Sequence, residues 1–178
     1  MNQRVRLTKR LLCDSLIELL SEKRLEEIKV KELCERAGIN RSTFYAYYGA
    51  PRDVMIEMEK NLIGEIKRLT EDERIGVRER LIRICRLLYD NKKTELVLFA
   101  NYTDQDLSMV FSFVDRELRT TKAGLIREPL TKEEGQLISS FVNFGLFNLI
   151  KTWLKEDIHK TPEEIADLIL NKILRLKV

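Results

Sequence analysis

Apolar residues recur along most of this chain at i, i+3, i+4 and i+7, the period of amphipathic helices. Leu12, Leu16, Leu19 and Leu20 give one face to a helix expected over Thr8–Ser21, with Thr8 as its cap and residues 1–5 as a basic arm. Leu25 and Ile28 would seal the unit that follows. Val30, Leu33, Cys34 and Ala37 make a two-turn helix. Gly38 then permits the positive φ that ends a helix, and Ile39 can turn back onto the core. Asn40 suits the N-cap of a second short helix, its side chain accepting the N–H of Ser42 or Thr43. Phe44 and Tyr48, four apart, point together and can pack on the first helix.

Pro51 at a first helical position and Asp53 in a first turn open a longer helix through Met55, Met58, Leu62, Ile66 and Leu69. Glu71-Asp72-Glu73 reads as a solvated turn. A helix over Val77–Tyr89 turns Leu81, Ile84, Cys85 and Leu88 inward, Asn91-Lys92-Lys93 breaks it, and Thr94–Ala100 is a short, almost wholly apolar helix. Thr103 or Asp104 can cap the next, with Leu107, Val110, Phe111, Val114 and Leu118. Around Gly124 and Pro129 the pattern lapses into a loop. Thr131-Lys-Glu-Glu134 and Thr161-Pro-Glu-Glu164 are capping boxes that open the last two helices.

Lys132–Glu156 is apolar on more than one face, and the final helix likewise. A helix covered only by its own domain needs one stripe, so a second stripe implies cover on both sides. The expectation is a four-helix interface with a second copy of the chain, through Phe141, Gly145, Leu149, Trp153, Ile165, Ile169 and Ile173. A deep core within one copy is the alternative.

Composition agrees with a helical globule: 44% hydrophobic and 34% charged residues, with 7 Gly and 3 Pro in 178 residues. The net charge of +3 is unevenly placed, because residues 1–53 hold 11 Lys+Arg against 8 Asp+Glu and residues 54–178 hold 21 against 21. The excess lies with the two short helices, a mild bias towards nucleic acid. Cys13, Cys34 and Cys85 lack metal spacing and read as small buried hydrophobes in a reducing cytoplasm. His159 has no partner ligand, so neither metal nor cofactor is expected. Arg4, Arg6, Lys9 and Arg10 precede only a short apolar run broken by Asp14, which is not a signal peptide, and no stretch reads as a membrane span.

The outer face of the second short helix changes the picture. Arg41, Ser42, Tyr45, Ala46 and Tyr47 face out, and no acid occurs between Asn40 and Arg52. Surface helices usually carry Lys and Glu; a small, acid-free, hydrogen-bonding face admits close approach to phosphate. This is the pattern of a helix-turn-helix that reads a DNA major groove. A helical hairpin packed into a core shares the apolar stripe but does not account for that face.

The segment AGINRSTFYAYY resembles the recognition segment of the TetR/AcrR family of bacterial transcriptional regulators, whose pattern runs A-G-[VI]-[ST]-x-[GPS]-[TA]-[FLI]-Y-x-[HYF]-[FY]. The resemblance runs without a gap from about Arg6 to Asn61, and a WL-x7-PEE pattern near the end resembles one Gram-positive-type branch. It implies an all-α fold of about nine helices. Residues 1–49 would form a three-helix DNA-binding domain, and residues 50–178 a helical bundle for effector binding and dimerisation. It also implies a repressor released from DNA by a small molecule. Arg41, Ser42 and Lys31 would read bases and Ala46 would meet a thymine methyl, while Thr43, Tyr45, Tyr47, Lys29, Arg52 and Thr8 would fix phosphates, with Asn40 opening the helix.

Three positions depart from that family's pattern. Arg24 stands where Gly is usual. Lys29 replaces a capping Ser or Thr that often also grips phosphate, leaving Glu32 to fold back as half of a capping box, and Pro51 replaces a phosphate-binding Lys. The departures at Lys29 and Pro51 keep a second class open, a helical protein-interaction module with weak or lost DNA binding. Tyr89, Phe99, Tyr102, Phe113, Phe144 and Phe147 are the aromatics for an effector pocket, although such a stripe is more often core. An enzyme is not expected, for want of a nucleophile–base pair, a Gly-rich phosphate loop or metal spacing.

Overall fold

The computed structural model describes residues 3–71, 74–99, 131–156 and 158–174, and every regular element among them is helical. The expected helix after Asp104, the loop at 119–130, and Tyr102 and Phe113 lie outside the described residues. The chain divides into two compact units, Met1–Leu62 and Ile63–Val178. The division falls inside a long helix, whereas the sequence placed a domain boundary after residue 49.

The first unit holds α1 (Gln3–Leu20), a 3-10 turn at Leu25–Glu27, α2 (Val30–Ala37), α3 (Arg41–Tyr45) and the start of α4 (Pro51–Glu71). Leu12, Leu16, Leu19, Leu33, Phe44 and Val54 are fully excluded from solvent. Phe44 and Tyr48 meet with ring centroids 5.7 Å apart, as their spacing predicts. α2 ends on Gly38 at φ +65°, where an L side chain would be strained, and Ile39 N–H bonds back to the Cys34 carbonyl at 2.9 Å.

Three local expectations are corrected here. α1 starts at Gln3 rather than Thr8, because Arg4 to Leu7 contain no helix breaker. Thr8 therefore lies half-buried inside the helix and caps nothing. Asn40 has the extended backbone of an N-cap, yet its side chain makes no capping bond; its carbonyl accepts the Phe44 N–H at 3.0 Å. Glu32 does not fold back onto the start of α2, since it is bound to Lys23 at 2.6 Å. With Arg36 against Glu22 at 3.0 Å, that pair ties α2 to the end of α1.

The second unit holds the rest of α4, then α5 (Val77–Asp90), α6 (Lys92–Phe99), α7 (Lys132–Lys155) and α8 (Pro162–Asp167). α5 packs on α8, and α6 on α7. Lys92 and Lys93 belong to α6; only Asn91 separates it from α5, so the expected three-residue break is a single-residue one. Both capping boxes form: Thr131 and Thr161 each accept the N–H of the residue three on at 3.2 Å, and Glu134 and Glu164 each return the bond at 2.8 Å. α8 passes into a π-helical turn, Leu168–Ile173, where a continuous α-helix was expected; the Leu174 N–H reaches the Ile169 carbonyl at 2.8 Å.

The WL-x7-PEE pattern acquires a physical reading in this unit. The Trp153 indole N–H donates to the Lys160 carbonyl at 2.9 Å, holding the connection between α7 and α8 in place, and Tyr89 stacks on the indole at 5.3 Å. Glu163 pairs with Arg86, and Arg78 grips both oxygens of Asp167 at 2.7 and 2.8 Å. These ties join α5 to α8 as the apolar stripe of α5 meets Ile165 and Ala166.

α7 carries the two expected stripes. Val142, Leu146, Ile150, Trp153 and Leu154 are buried within the unit, whereas Leu137, Phe141 and Phe144 are 72%, 77% and 45% exposed. Trp153, Ile165 and Ile169 are each only 2% exposed, so they belong to the unit's own core and cannot line a surface offered to another chain. α7 is long and apolar enough to cross a bilayer by length and composition alone, but one of its stripes is already occupied by this packing. Cys34 and Cys85 are buried and Cys13 is half-buried, all as free thiols. Desolvation pushes Cys13 up to about 11 and Cys85 up to about 12, which keeps both protonated and unreactive at neutral pH.

Candidate nucleic-acid interface

The helix-turn-helix presents one face to solvent. Its frame comes from apolar burial on the opposite side: Leu33, Cys34 and Ala37 of α2 and Phe44 of α3 point inward. That leaves Arg41, Ser42, Tyr45, Ala46 and Tyr47 outside, with Tyr45 59% and Tyr47 39% exposed and Thr43 half-buried. Tyr45 stands edge-on to Phe44 at 5.6 Å, so a buried ring steers an exposed hydroxyl.

Cations flank this face. Lys29, Arg41 and Arg52 are exposed, and none of them has an ion-pair partner among the described residues. Lys31 is exposed and only loosely held by Glu35 at 3.8 Å. Arg36, in contrast, is taken up by Glu18 and Glu22 and is structural. Unpaired guanidinium and ammonium groups beside exposed hydroxyls are the donors that a phosphate backbone accepts.

Both edges differ from a simple phosphate clamp. Lys29 occupies the N-cap of α2 in an extended conformation and makes no capping bond. Pro51 is buried at the start of α4, and Asp53 accepts the N–H groups of Gly49 and Ala50 at 2.8 and 2.9 Å. Those two amides, which would otherwise be free to meet an anion, are already satisfied by a carboxylate.

Behind the face lies a cluster that the sequence did not reveal. Lys9 of α1 binds Glu57 of α4 at 2.6 Å and sits 5.3 Å from the centre of the Tyr48 ring. Burial and the nearby Glu57 and Cys13 push the Tyr48 hydroxyl well above its ordinary range, so it remains a neutral donor. Three separate chain segments converge there, which is why residue spacing could not show it.

The expected effector aromatics are only partly brought together. Phe99 is buried and meets Phe147 edge-on at 5.3 Å. Tyr89 stacks on Trp153 with 46% of its surface exposed, and Phe144 points out of the unit, so neither joins that pair. The expected dimer surface reduces to Phe141, Gly145, Ile173 and the half-buried Leu149, with Leu137 added.

Residues 77–175, more than half of the chain, match the profile of the transcriptional regulator C-terminal region of TetR type. No curated protein sequence matches. The fold is similar to that of a TetR transcriptional regulator from Streptococcus agalactiae, with a TM-score of 0.69 and 18% identity over 97% of each chain. It is also similar to the fatty acid degradation regulator FadR of Bacillus halodurans (TM-score 0.63, 15% identity, 92% of this chain and 98% of that one). The dihydroxyacetone kinase operon activator DhaS is a third such fold (0.60, 14%, 92% of each). The profile matches the second unit, while the structural likeness spans the helix-turn-helix as well. The chain belongs to the TetR family of transcriptional regulators.

Proposed function

We propose that the chain is a sequence-specific DNA-binding regulator that acts as a homodimer on a near-palindromic site and is released by a small effector. The observation that carries this reading is the exposed, acid-free face from Arg41 to Tyr47, backed by buried Phe44 and Tyr48 and flanked by unpaired Lys29, Arg41 and Arg52. Arg41 and Ser42 are the base readers, with Lys31 beside them and Ala46 set for a thymine methyl; Thr43, Tyr45, Tyr47, Lys29 and Arg52 hold the phosphates. Thr8 is retained only as a weak contributor, because it lies inside α1.

A lone helix-turn-helix binds weakly, so a second copy is needed. The exposed stripe of Leu137, Phe141 and Phe144 supports a two-fold interface, in which one patch meets itself. Two readers would then enter successive major grooves about 34–36 Å apart or at a related spacing. Repression is the expected sign, although the fold does not fix it: DhaS, which shares the fold, is an operon activator.

Selection of bound sequences from random DNA tests the reading, with light scattering on the same preparation. A near-palindrome and a dimer are expected. No enrichment at moderate salt would favour the second reading, a helical interaction module, which draws on Pro51 and on the Asp53 carboxylate that occupies the Gly49 and Ala50 amides.

A further inference from the structure

The second unit contains a carboxylate that nothing above employs. Glu95 lies on α6 and is only 3% exposed. Its Oε2 atom has no hydrogen-bond partner among the described residues. An unpaired buried carboxylate is among the least favourable groups a core can hold, and it normally answers by keeping its proton. Burial, with Glu65 nearby, pushes the Glu95 carboxyl up to about 8. The charged neighbour is thus another acid, on α4, so no countercharge is supplied from that side.

Among the described residues no donor reaches Glu95 Oε2, and an aromatic pair lies one turn along the helix. Phe99, one helical turn further along the same face of α6, is buried against Phe147 of α7. α7 also carries buried Asn143, whose Oδ1 likewise has no partner among the described residues. A purely structural role at position 95 would be served better by Leu, which matches its buried neighbours Leu98 and Phe99 on this helix and carries no desolvation cost.

We propose that the α6–α7 seam forms the specificity-setting part of an effector site, in which Glu95 receives the protonated amine of a hydrophobic organic cation and Phe99 and Phe147 contact its apolar part. The inference rests on the effector reading above and deepens it by naming the ligand's chemistry. A hard metal ion is a poor fit, because it asks for six or more oxygen ligands and, among the described residues, this seam offers two orphan oxygens. An ammonium supplies both the charge and the donors that Glu95 lacks.

Glu65 belongs to α4, which runs unbroken from Pro51 to Glu71 and so carries the end of the reader at its other extreme. An ammonium at Glu95 displaces the carboxyl proton to solvent and sets a positive charge near Glu65, and therefore favours a different placement of α4 from the ligand-free chain. Differential binding to two placements is the thermodynamic requirement for an effector.

The test is calorimetric titration of the full chain with 2-phenylethylamine, neutral 2-phenylethanol and anionic phenylacetate, on the wild type and on Glu95→Gln. The wild type should bind the amine at least about ten-fold more tightly than either analogue, as a charge-assisted bond to a buried carboxylate would give. Glu95→Gln should lose that preference and keep its affinity for the alcohol. Equal binding of amine and alcohol by the wild type overturns the proposal without recourse to any variant, as does a preference that survives Glu95→Gln. Selection from random DNA on the same preparation separates the two claims. A palindrome without amine preference removes only this inference; amine preference without enriched DNA removes the regulator reading and leaves Glu95 standing.

Discussion

The two units leave different things unsatisfied. In the first, the face of the helix-turn-helix presents exposed polar groups without ion-pair partners among the described residues: Arg41, Ser42, Lys29 and Arg52. Leu7 and Leu11 on α1 are also exposed, and the buried Tyr48 hydroxyl has no hydrogen-bond partner among the described residues. In the second, the orphan polar atoms are inside, on Glu95 and Asn143, and the uncovered residues outside are apolar, along Leu137, Phe141 and Phe144. A polar surface without partners is complementary to a charged polymer. An apolar surface is complementary to another such surface, and a buried acceptor to a small donor. On the function proposed for the chain, the contrast divides the labour: DNA for the first unit, a second copy and an effector for the second.

The strongest challenge to that division is Phe44→Ala. Phe44 is fully buried where α2, α3 and Tyr48 meet, so its truncation should cost about 3–5 kcal/mol. Thermal unfolding followed by circular dichroism should show the first unit melting early and DNA binding lost. The second unit, with its own core around Leu98, Leu154, Ile169 and Leu170, should melt as before. Equal destabilisation of both would mean that the units are one cooperative block and the contrast is only spatial.

Glu95→Gln probes the interior of the second unit by pH. In the folded chain the carboxyl keeps its proton up to about 8, whereas in the unfolded chain it ionises near the ordinary value of 4.5. Raising the pH through that window therefore favours the unfolded wild type, by up to about 1.4 kcal/mol per pH unit, and the loss is complete above the upper limit. Glutamine has no such term. The variant's melting temperature should rise above that of the wild type as pH increases from 5 to 8, by roughly 2–4 °C per kcal/mol. A pH-independent difference would show that Glu95 is charged and paired in solution.

At the reader, Arg41→Ala should cost about 1–3 kcal/mol of DNA affinity and relax preference at one base position. Tyr45→Phe removes the hydroxyl proposed to meet a phosphate and should weaken all sequences alike, by less. Competition binding against single-base variants of the selected site distinguishes them. An unchanged preference in Arg41→Ala would take Arg41 off the reading face.

What could be read from the chain beforehand was what depends on near neighbours. The α2–turn–α3 geometry followed from Leu33, Cys34 and Ala37, a glycine at the helix end, and Phe44 with Tyr48, all within a few turns. Both capping boxes were legible for the same reason. Orientation of a helix apolar on two faces was not. Trp153, Ile165 and Ile169 were assigned to a partner surface because periodicity cannot tell which stripe the chain itself covers. For Trp153 there was a clue, since its indole N–H needs an acceptor and a pattern that joins it to the next helix start supplies one. Glu95 gave a clue too: it is the acid in an otherwise apolar segment, and its burial depends on packing between α6 and its neighbours. Thr8 was misplaced because a cap residue signals a helix start only where the preceding residues cannot be helical.

The smallest effect concerns how the two units begin their helices. α8 starts with a full capping box at Thr161, whereas α2, the first helix of the reader, starts at Lys29 with no side-chain cap. Lys29 nevertheless has the extended backbone of an N-cap, at φ −92° and ψ 147°, so a hydroxyl placed there can reach the helix amides without rebuilding the chain. Lys29→Ser should therefore stabilise the first unit by about 1 kcal/mol. The same change removes one ammonium from the DNA face, so the slope of log affinity against log salt should fall by about one. Stability and salt dependence would then move in opposite senses, as the proposed contact of Lys29 with the polymer requires. If Lys29→Ser left the salt slope unchanged while raising the melting temperature, Lys29 would be a poor cap and nothing more, and the positive rim of the reader would shrink to Arg41, Arg52 and Lys31.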